Sequence, residues 1–420
     1  MKRNQSQFWT AVSKALAVTT VTLIIALILA PGAWAASKYK ILQTSPGGAE
    51  DGLFIFDAAG NMYGTGGGGT YGDGDVFELS PNSDGTWTES VLYSFDNSGG
   101  GPSSPRAGVI FDTSGNLYGT SWSGGYYGNG TVYKLTPQSG GTWTETVIYS
   151  FTGGSDGGAP VGGVIFDASG NLYGPATIGG DDGGGVIFRL APNSDGTWTE
   201  SVILSFTGSD GGYPDHGSLI FDKAGNLYGE ASDLFYGPCC GTVFELMPQS
   251  DGTWNEQVLY HFTGGNDGGT PESTLRFDRS GNLYGTTESG GADGDGVVFE
   301  LTPGSNGNWT EQTLHAFKGT DGAHPFGGVV FDPAGNIYGT TLHGGSGPCS
   351  DFFGSGCGVV FKLIPNSQGQ WTEQVLHRFE GSPADEPFGE VVLHGKGNMY
   401  GMTSGDGTAG YVGVVFELTP

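Results

Sequence analysis

Gly115-Asn116-Leu117-Tyr118-Gly119 decides the reading of this chain. The same five residues, with Leu, Met or Ile in the middle, recur around Asn61, Asn171, Asn226, Asn282, Asn336 and Asn398. Successive copies lie 54 to 62 residues apart. A fixed period of this length is the mark of a repeat architecture. Working outward from Asn116, Gly108 to Asp112 reads as a short strand a, and Thr113-Ser114-Gly115 as a tight turn. Strand b is Asn116 to Tyr118, and strand c is Val132 to Leu135, stopped by Pro137. Strand d runs from Trp143 to Phe151. Short apolar runs punctuated by Gly, Asn, Asp and Ser indicate an all-β protein. No later stretch carries a helical period.

Particular residues have readable roles. Asp57, Asp112, Asp167, Asp222, Asp278 and Asp332 each stand three residues before the glycine of the a–b turn. An Asp there accepts backbone N–H groups, and the Gly takes a positive φ. His394 replaces the Asp in the seventh unit. Trp87, Trp143, Trp198, Trp254, Trp309 and Trp371 are expected to pack between neighbouring sheets. Seven units of four antiparallel strands predict a seven-bladed β-propeller. The chain stops on a strand c, Val415 to Leu418, while Lys38-Tyr39-Lys40-Ile41-Leu42 resembles a strand d. The N-terminal strand, about residues 38–44, is therefore expected to complete the last blade and close the ring.

Residues 1–35 read as an export signal. Lys2, Arg3 and Lys14 precede an apolar run over Ala15–Ala30, and Ala33-Trp34-Ala35 is a cleavage site before Ala36. The run is short for a membrane span. The expected product is a secreted or periplasmic monomer of residues 36–420, without a span. Cleavage carries the formal charge from −28 to −31. Such a surface disfavours nucleic acid and anionic lipid.

The patterns FDxxGNLYGTT and WTExVLYSF resemble the Gloeo/Verruco (GloVer) repeats of bacterial extracellular proteins, over essentially all of 36–420. The resemblance implies an exported repeat protein. It implies no reaction and no catalytic residues.

Function is expected on the face formed by the b–c and d–a loops, because the b–c loop varies most in length between units. Residues that differ between units are free to serve a ligand. Just before strand a these are Asp51, Arg106, Asp215 with His216, Glu272, Phe326 and Phe388, while Arg276 and Glu390 interrupt apolar strand patterns. They suggest a pocket at the channel mouth for a glycan or protein ligand. The b–c loops add Tyr71, Trp122, Tyr126, Tyr127, Phe235, Tyr236, Phe352, Phe353 and Tyr411, which suit sugar stacking or loop anchoring. Cys349 and Cys357 bracket one loop and are expected to pair; Cys239 and Cys240 are expected to form a vicinal disulfide. No cofactor is expected. Asp73-Gly74-Asp75, Asp181-Asp182 and Asp293-Gly294-Asp295 offer at most weak Ca²⁺ sites, since they lack the twelve-residue calcium loop. The chain reads as a binding or scaffold module. The alternatives are a carbohydrate-active enzyme with carboxylates at the channel mouth and a structural matrix component.

Overall fold

The computed structural model describes residues 37–46, 53–232, 240–350, 354–405 and 412–419. The signal segment, Asp51 and Cys239 lie outside them. The described residues form seven antiparallel blade sheets built on strands in the order a-b-c-d, with one added strand in blade 5 and a separate two-stranded sheet. In blade 3 these are Ile165–Phe166, Leu172–Ala176, Val186–Pro192 and Trp198–Ser205. This is the seven-bladed propeller that the repeat predicts.

The a–b turn behaves as its sequence requires. Asp112 Oδ1 accepts the N–H groups of Ser114 and Asn116 at 2.8 and 2.9 Å. Its Oδ2 accepts the Asn116 amide at 2.6 Å and the Tyr118 hydroxyl at 3.2 Å. Burial opposes ionisation of Asp112, yet these bonds hold it below its ordinary pKa. Gly115 sits at φ 82°, a conformation that suits glycine. In blade 7, where His394 stands for the Asp, Glu417 on strand c takes over. It accepts the Asn398 amide at 2.5 Å and the Tyr400 hydroxyl at 3.1 Å.

The core is divided among the seams between blades. Seven buried clusters are present, and each spans two neighbouring blades. At the seam between blades 3 and 4, Tyr173, Ile187 and Phe206 meet Leu219, Leu227, Phe244 and Leu246. Strand b is buried on both faces, so alternate residues serve alternate seams. Leu172 and Ala176 pack toward blade 2, while Tyr173 packs toward blade 4. The second glycine of the repeat makes the seam possible. A Cβ on Gly174 would stand 2.8 Å from the Phe188 ring, and one on Gly229 would stand 2.6 Å from Phe244. The strand-c ring lies against bare backbone there. Its edge then meets the phenylalanine that ends strand d of the preceding blade, as in Phe151–Phe188 at 5.0 Å and Phe206–Phe244 at 5.5 Å. Edge-to-face pairs of this kind contribute about 0.5–1.5 kcal/mol each beyond area burial. The tryptophans pack between sheets as expected. Trp198 meets Tyr118 at 6.3 Å, Trp254 meets Tyr173 at 5.8 Å, and Trp87 meets Tyr400 at 5.9 Å.

The ring closes through the N-terminal strand. Lys38–Pro46 pairs antiparallel with Val412–Thr419, slightly longer than the predicted 38–44. A bulge between Ile41 and Gln43 leaves Leu42 opposite no partner. The same bulge recurs in the c–d pairs of blades 1 to 6, for example at Val132/Tyr133. Leu42 thus occupies the place held by Leu92 in blade 1, and it packs against the cluster at the seam between blades 7 and 1. Cys349 and Cys357 are disulfide-bonded, as predicted. Closing that short loop contributes about 2–3 kcal/mol by the chain-entropy estimate. Cys240 is also disulfide-bonded; the expected vicinal pairing involves Cys239, outside the described residues. Among the described residues no helix is long and apolar enough to cross a membrane.

The seams carry a pH dependence. Glu200, Glu256 and Glu373 on strand d are pushed by burial from the usual 4.5 to about 7, with Asp156, Asp210 and Asp321 adding repulsion. The unfolded chain ionises these groups more readily. Their contribution to stability is therefore whole below pH 4.5 and is lost as the pH rises through about 7. Burial depresses His377, stacked on Tyr39 of the closing strand, from 6.5 to about 4. Its contribution is whole above pH 6.5 and is lost as the pH falls through about 4. We predict a melting temperature that peaks near about pH 5 and declines toward pH 8. Replacing Glu200, Glu256 and Glu373 together by Gln should flatten the alkaline limb. An alkaline optimum in a calorimetric pH series would contradict this.

Candidate functional site

Strand a of each blade enters near the propeller axis, and glycines there bring neighbouring chains into contact. A Cβ on Gly328 would stand 2.5 Å from the Thr274 carbonyl oxygen, and one on Gly327 would stand 2.7 Å from that of Gly389. Gly108 abuts Leu53 and Gly217 abuts Ser273 in the same way. Among the described residues they leave a cavity of about 30 Å³ there. That is room for roughly two water molecules. Ligand pockets begin at about 300 Å³.

Five sequence candidates line this cavity: His216, Glu272, Phe326, Phe388 and Glu390. Phe326 and Phe388 stack at 4.7 Å, and His216 approaches their rings at 5.8 and 5.3 Å. Asp215 stands beside His216, with Oδ2 and Nε2 3.6 Å apart. Arg106 is placed elsewhere, its guanidinium 4.7 Å from the centre of the Trp122 ring. Glu390 is paired: its Oε1 accepts Arg276 Nε at 2.9 Å and Nη2 at 2.5 Å. Burial raises Glu390 above its ordinary value and Arg276 opposes the rise, while Glu390 raises Arg276. This ion pair links blade 5 to blade 7.

Sequence reasoning missed Glu230. Thr65, Thr120, Thr286 and Thr340 hold the equivalent place on strand b in other blades. Their hydroxyls donate to carbonyl oxygens of the next blade, at Ala107, Gly162, Gly327 and Gly389, over 2.8 to 3.1 Å. Glu230 reverses the polarity and accepts the Ser273 N–H at 2.6 Å. Burial pushes its carboxyl well above the usual value, and Glu272 adds to the rise. The departure was visible as Gly229-Glu230-Ala231 where four other units place Thr after the glycine.

The b–c loops make a different surface. Blades 1, 2, 3 and 5 present Gly-x-x-Gly tips: Gly69-Thr70-Tyr71-Gly72, Gly125-Tyr126-Tyr127-Gly128, Gly180-Asp181-Asp182-Gly183 and Gly291-Ala292-Asp293-Gly294. In blades 1 to 3 a strand-d serine holds the first tip N–H. Thr70 donates to Ser94 Oγ at 3.2 Å, Tyr126 to Ser150 Oγ at 3.3 Å, and Asp181 to Ser205 Oγ at 2.8 Å. The base of each loop is closed by one backbone bond, from Gly74, Gly130, Gly185 and Gly296 to Gly68, Gly124, Gly179 and Gly290 at 2.9 or 3.0 Å. The scaffold is thus one backbone arrangement with differing side chains at its tip. Tyr71 is 62% exposed, Trp122 42%, Tyr126 81% and Tyr127 58%. These four rings do not anchor their loops by burial. The loops of blades 1 and 2 are tied together, since Ser103 Oγ donates to Asp73 at 2.9 Å and Pro102–Ser103 pairs with Ser123–Gly124. Phe235, Tyr236, Phe352, Phe353 and Tyr411 lie outside the described residues.

Asp73 is engaged by Ser103 and by the Asn97 N–H, and burial together with Glu89 pushes Asp75 to about 7. Among the described residues no group of three or more His, Cys, Asp or Glu is gathered to hold a metal.

A family model described as the Gloeobacter/Verrucomicrobia repeat matches this chain twice, over residues 49–234 and 235–420. No curated protein matches it. Among solved structures it is similar to a putative oxidoreductase (glucose dehydrogenase) of Thermus thermophilus, at 19% identity and a TM-score of 0.43, covering 73% of this chain and 94% of that one. It is similar to a luciferin-regenerating enzyme at 13% identity and a TM-score of 0.43, covering 92% and 96% of the two chains. It is similar also to a puromycin-hydrolyzing peptidase of Mycobacterium tuberculosis at 10% identity and a TM-score of 0.44, covering 88% of this chain and 53% of that one. Likenesses this distant carry no argument about activity.

The axial ion pair is testable as a structural element. Arg276→Leu leaves Glu390 buried without its cation and should lower unfolding free energy by about 3 kcal/mol. The double variant Arg276→Leu/Glu390→Leu should regain most of that loss in denaturant titrations. A single variant as stable as the parent would show that the pair does not matter.

Proposed function

The chain belongs to the Gloeobacter/Verrucomicrobia repeat family, and from that premise we propose that it is an exported, non-enzymatic glycan-binding module whose ligand lies on the b–c loop tips of blades 1 and 2. One observation carries the reading: Tyr71, Trp122, Tyr126 and Tyr127 remain exposed on loops that the fold otherwise holds in place. Large exposed rings are costly to leave in water and commonly mark an interaction surface. A sugar ring offers them an apolar C–H face and a polar edge, which matches the amphipathic character of Tyr and Trp. Holding the tips before binding reduces the entropy lost on association. Export is supported by the basic, apolar and Ala-x-Ala segments of residues 1–35. The charge of −28 makes nucleic acid an unfavourable partner.

The enzyme alternative draws less support. Paired catalytic carboxylates need space between them for a sugar and a water. Glu390 is engaged by Arg276, and the cavity it shares with Glu272 measures about 30 Å³. A purely structural role gives no reason for four exposed rings.

The test is retention on insoluble cellulose, chitin and xylan, with release of reducing ends measured in parallel. The parent protein should be retained by at least one polymer without cleaving it. The variant Tyr71→Ala/Tyr126→Ala/Tyr127→Ala should bind at least about tenfold more weakly while keeping its melting temperature. Undiminished binding by that variant would remove the tips from the account, and cleavage would establish an enzyme.

A further inference from the structure

We infer that Asn306 is a site of spontaneous covalent change. It deamidates in the folded protein, through a cyclic imide with Gly307, to aspartate and isoaspartate. The chain holds two Asn-Gly steps, Asn129-Gly130 and Asn306-Gly307, and the fold treats them oppositely. Glycine in the second place leaves its backbone nitrogen unhindered and its dihedral angles free, so either step could cyclise in an unconstrained chain.

Asn306 lies in the c–d turn of blade 5, within a single turn of 3₁₀ helix over Ser305–Gly307. Residues 302–308 are all exposed, and Asn306 takes φ 66°, in the left-handed region. Other blades tie the same turn down with side chains. In blade 1, Asn82 Nδ2 donates to the Thr86 and Thr88 hydroxyls at 2.9 and 3.0 Å. Asp84 Oδ1 there accepts the Thr86 N–H at 2.9 Å and its hydroxyl at 2.6 Å. Asn193 and Asp195 repeat this in blade 3. In blade 5 the corresponding places are Gly304, Asn306 and Asn308, and among the described residues no side-chain bond joins them.

Asn129 is held on every side. Its amide donates to the Thr152 carbonyl oxygen at 2.7 Å, and its own carbonyl oxygen accepts the Ala159 N–H at 2.8 Å. The Gly130 N–H donates to the Gly124 carbonyl oxygen at 3.0 Å. Bringing the Gly130 nitrogen onto the Asn129 amide carbon breaks these bonds together. At Asn306, opening one exposed turn is enough.

The reaction needs no enzyme and only water as co-reactant. The Gly307 nitrogen attacks Asn306 Cγ, an N–Cγ bond forms, and the side-chain nitrogen leaves as ammonia with the proton that the Gly307 nitrogen gives up. Water then opens the imide at one carbonyl to give aspartate, or at the other to give isoaspartate. Aspartate restores the residue type that Asp84, Asp195 and Asp251 supply at this turn. Isoaspartate lengthens the main chain by a methylene beside the Gly307 carbonyl oxygen, which accepts the Gln257 amide of blade 4 at 2.7 Å.

Peptide mass spectrometry of the full chain, aged at mildly alkaline pH in native buffer and in denaturant, tests this. In native buffer the mass gain of deamidation should accumulate in the peptide carrying Asn306 at least about tenfold faster than in the one carrying Asn129. In denaturant the two should convert at similar rates. Both aspartate and isoaspartate should be found at position 306, and Asn306→Ser should remove the native gain from that peptide. Equal native rates at the two asparagines, or an Asn306 that stays intact in native buffer while it converts in denaturant, would overturn the inference.

Discussion

An aromatic ring lying on bare glycine backbone is the contact on which the rest of this propeller depends. Phe188 on Gly174 and Phe244 on Gly229 show it in adjacent blades. The missing side chain lets the strand-c ring lie close against strand b, and the phenylalanine ending the previous blade then meets its edge. Each blade thereby buries both faces against its neighbours rather than against a common centre. Stability is distributed over seven similar seams, each a cluster of seven to ten buried residues. This explains why a chain so rich in glycine folds. Many of its described glycines stand where a neighbouring strand or ring approaches closely, or where a turn takes positive φ.

The same close approach sets the width of the axis. Near the axis, glycines draw the entering strands together until a cavity of about 30 Å³ is left, covered by Phe326, Phe388 and His216. The proposed reading places recognition at the b–c tips, where in blades 1 to 3 the first tip N–H is held by a strand-d serine oxygen. Fold and recognition are thus carried by different positions of one repeat. In the proposed reading, the position that differs between blades while its scaffold stays the same is the one that serves a ligand.

Much of the fold was legible in the sequence. The Gly-Asn-Leu-Tyr-Gly beat announced the blades, and the aspartate three residues before each turn glycine announced the a–b turn. Ile41-Leu42 matched the Val-Leu and Val-Ile steps of strand d and carries the same bulge. Local chemistry decides such features, so a single chain displays them. The candidate site was harder to read because its contacts join distant blades. Nothing local told that Glu390 would take Arg276, 114 residues away, or that Arg106 would lie against Trp122. The substitution of Glu230 for threonine was visible, but its meaning depended on the Ser273 N–H in the next blade. The filter of residues differing between units was physically sound. Applied just before strand a it selected residues that line a cavity of about 30 Å³, whose width is set by backbone contacts that periodicity does not reveal.

The central claim is that recognition belongs to the loop tips and that the axis is a packed structural core. Hydrogen–deuterium exchange on the full chain, with and without a saturating oligosaccharide that the protein retains, tests it most directly. The account predicts slowed exchange in peptides covering residues 69–74 and 122–130, with no change over 215–218, 272–276, 326–328 and 388–391. Protection confined to those four axial segments, with the tips unchanged, would contradict it and return the ligand to the channel mouth.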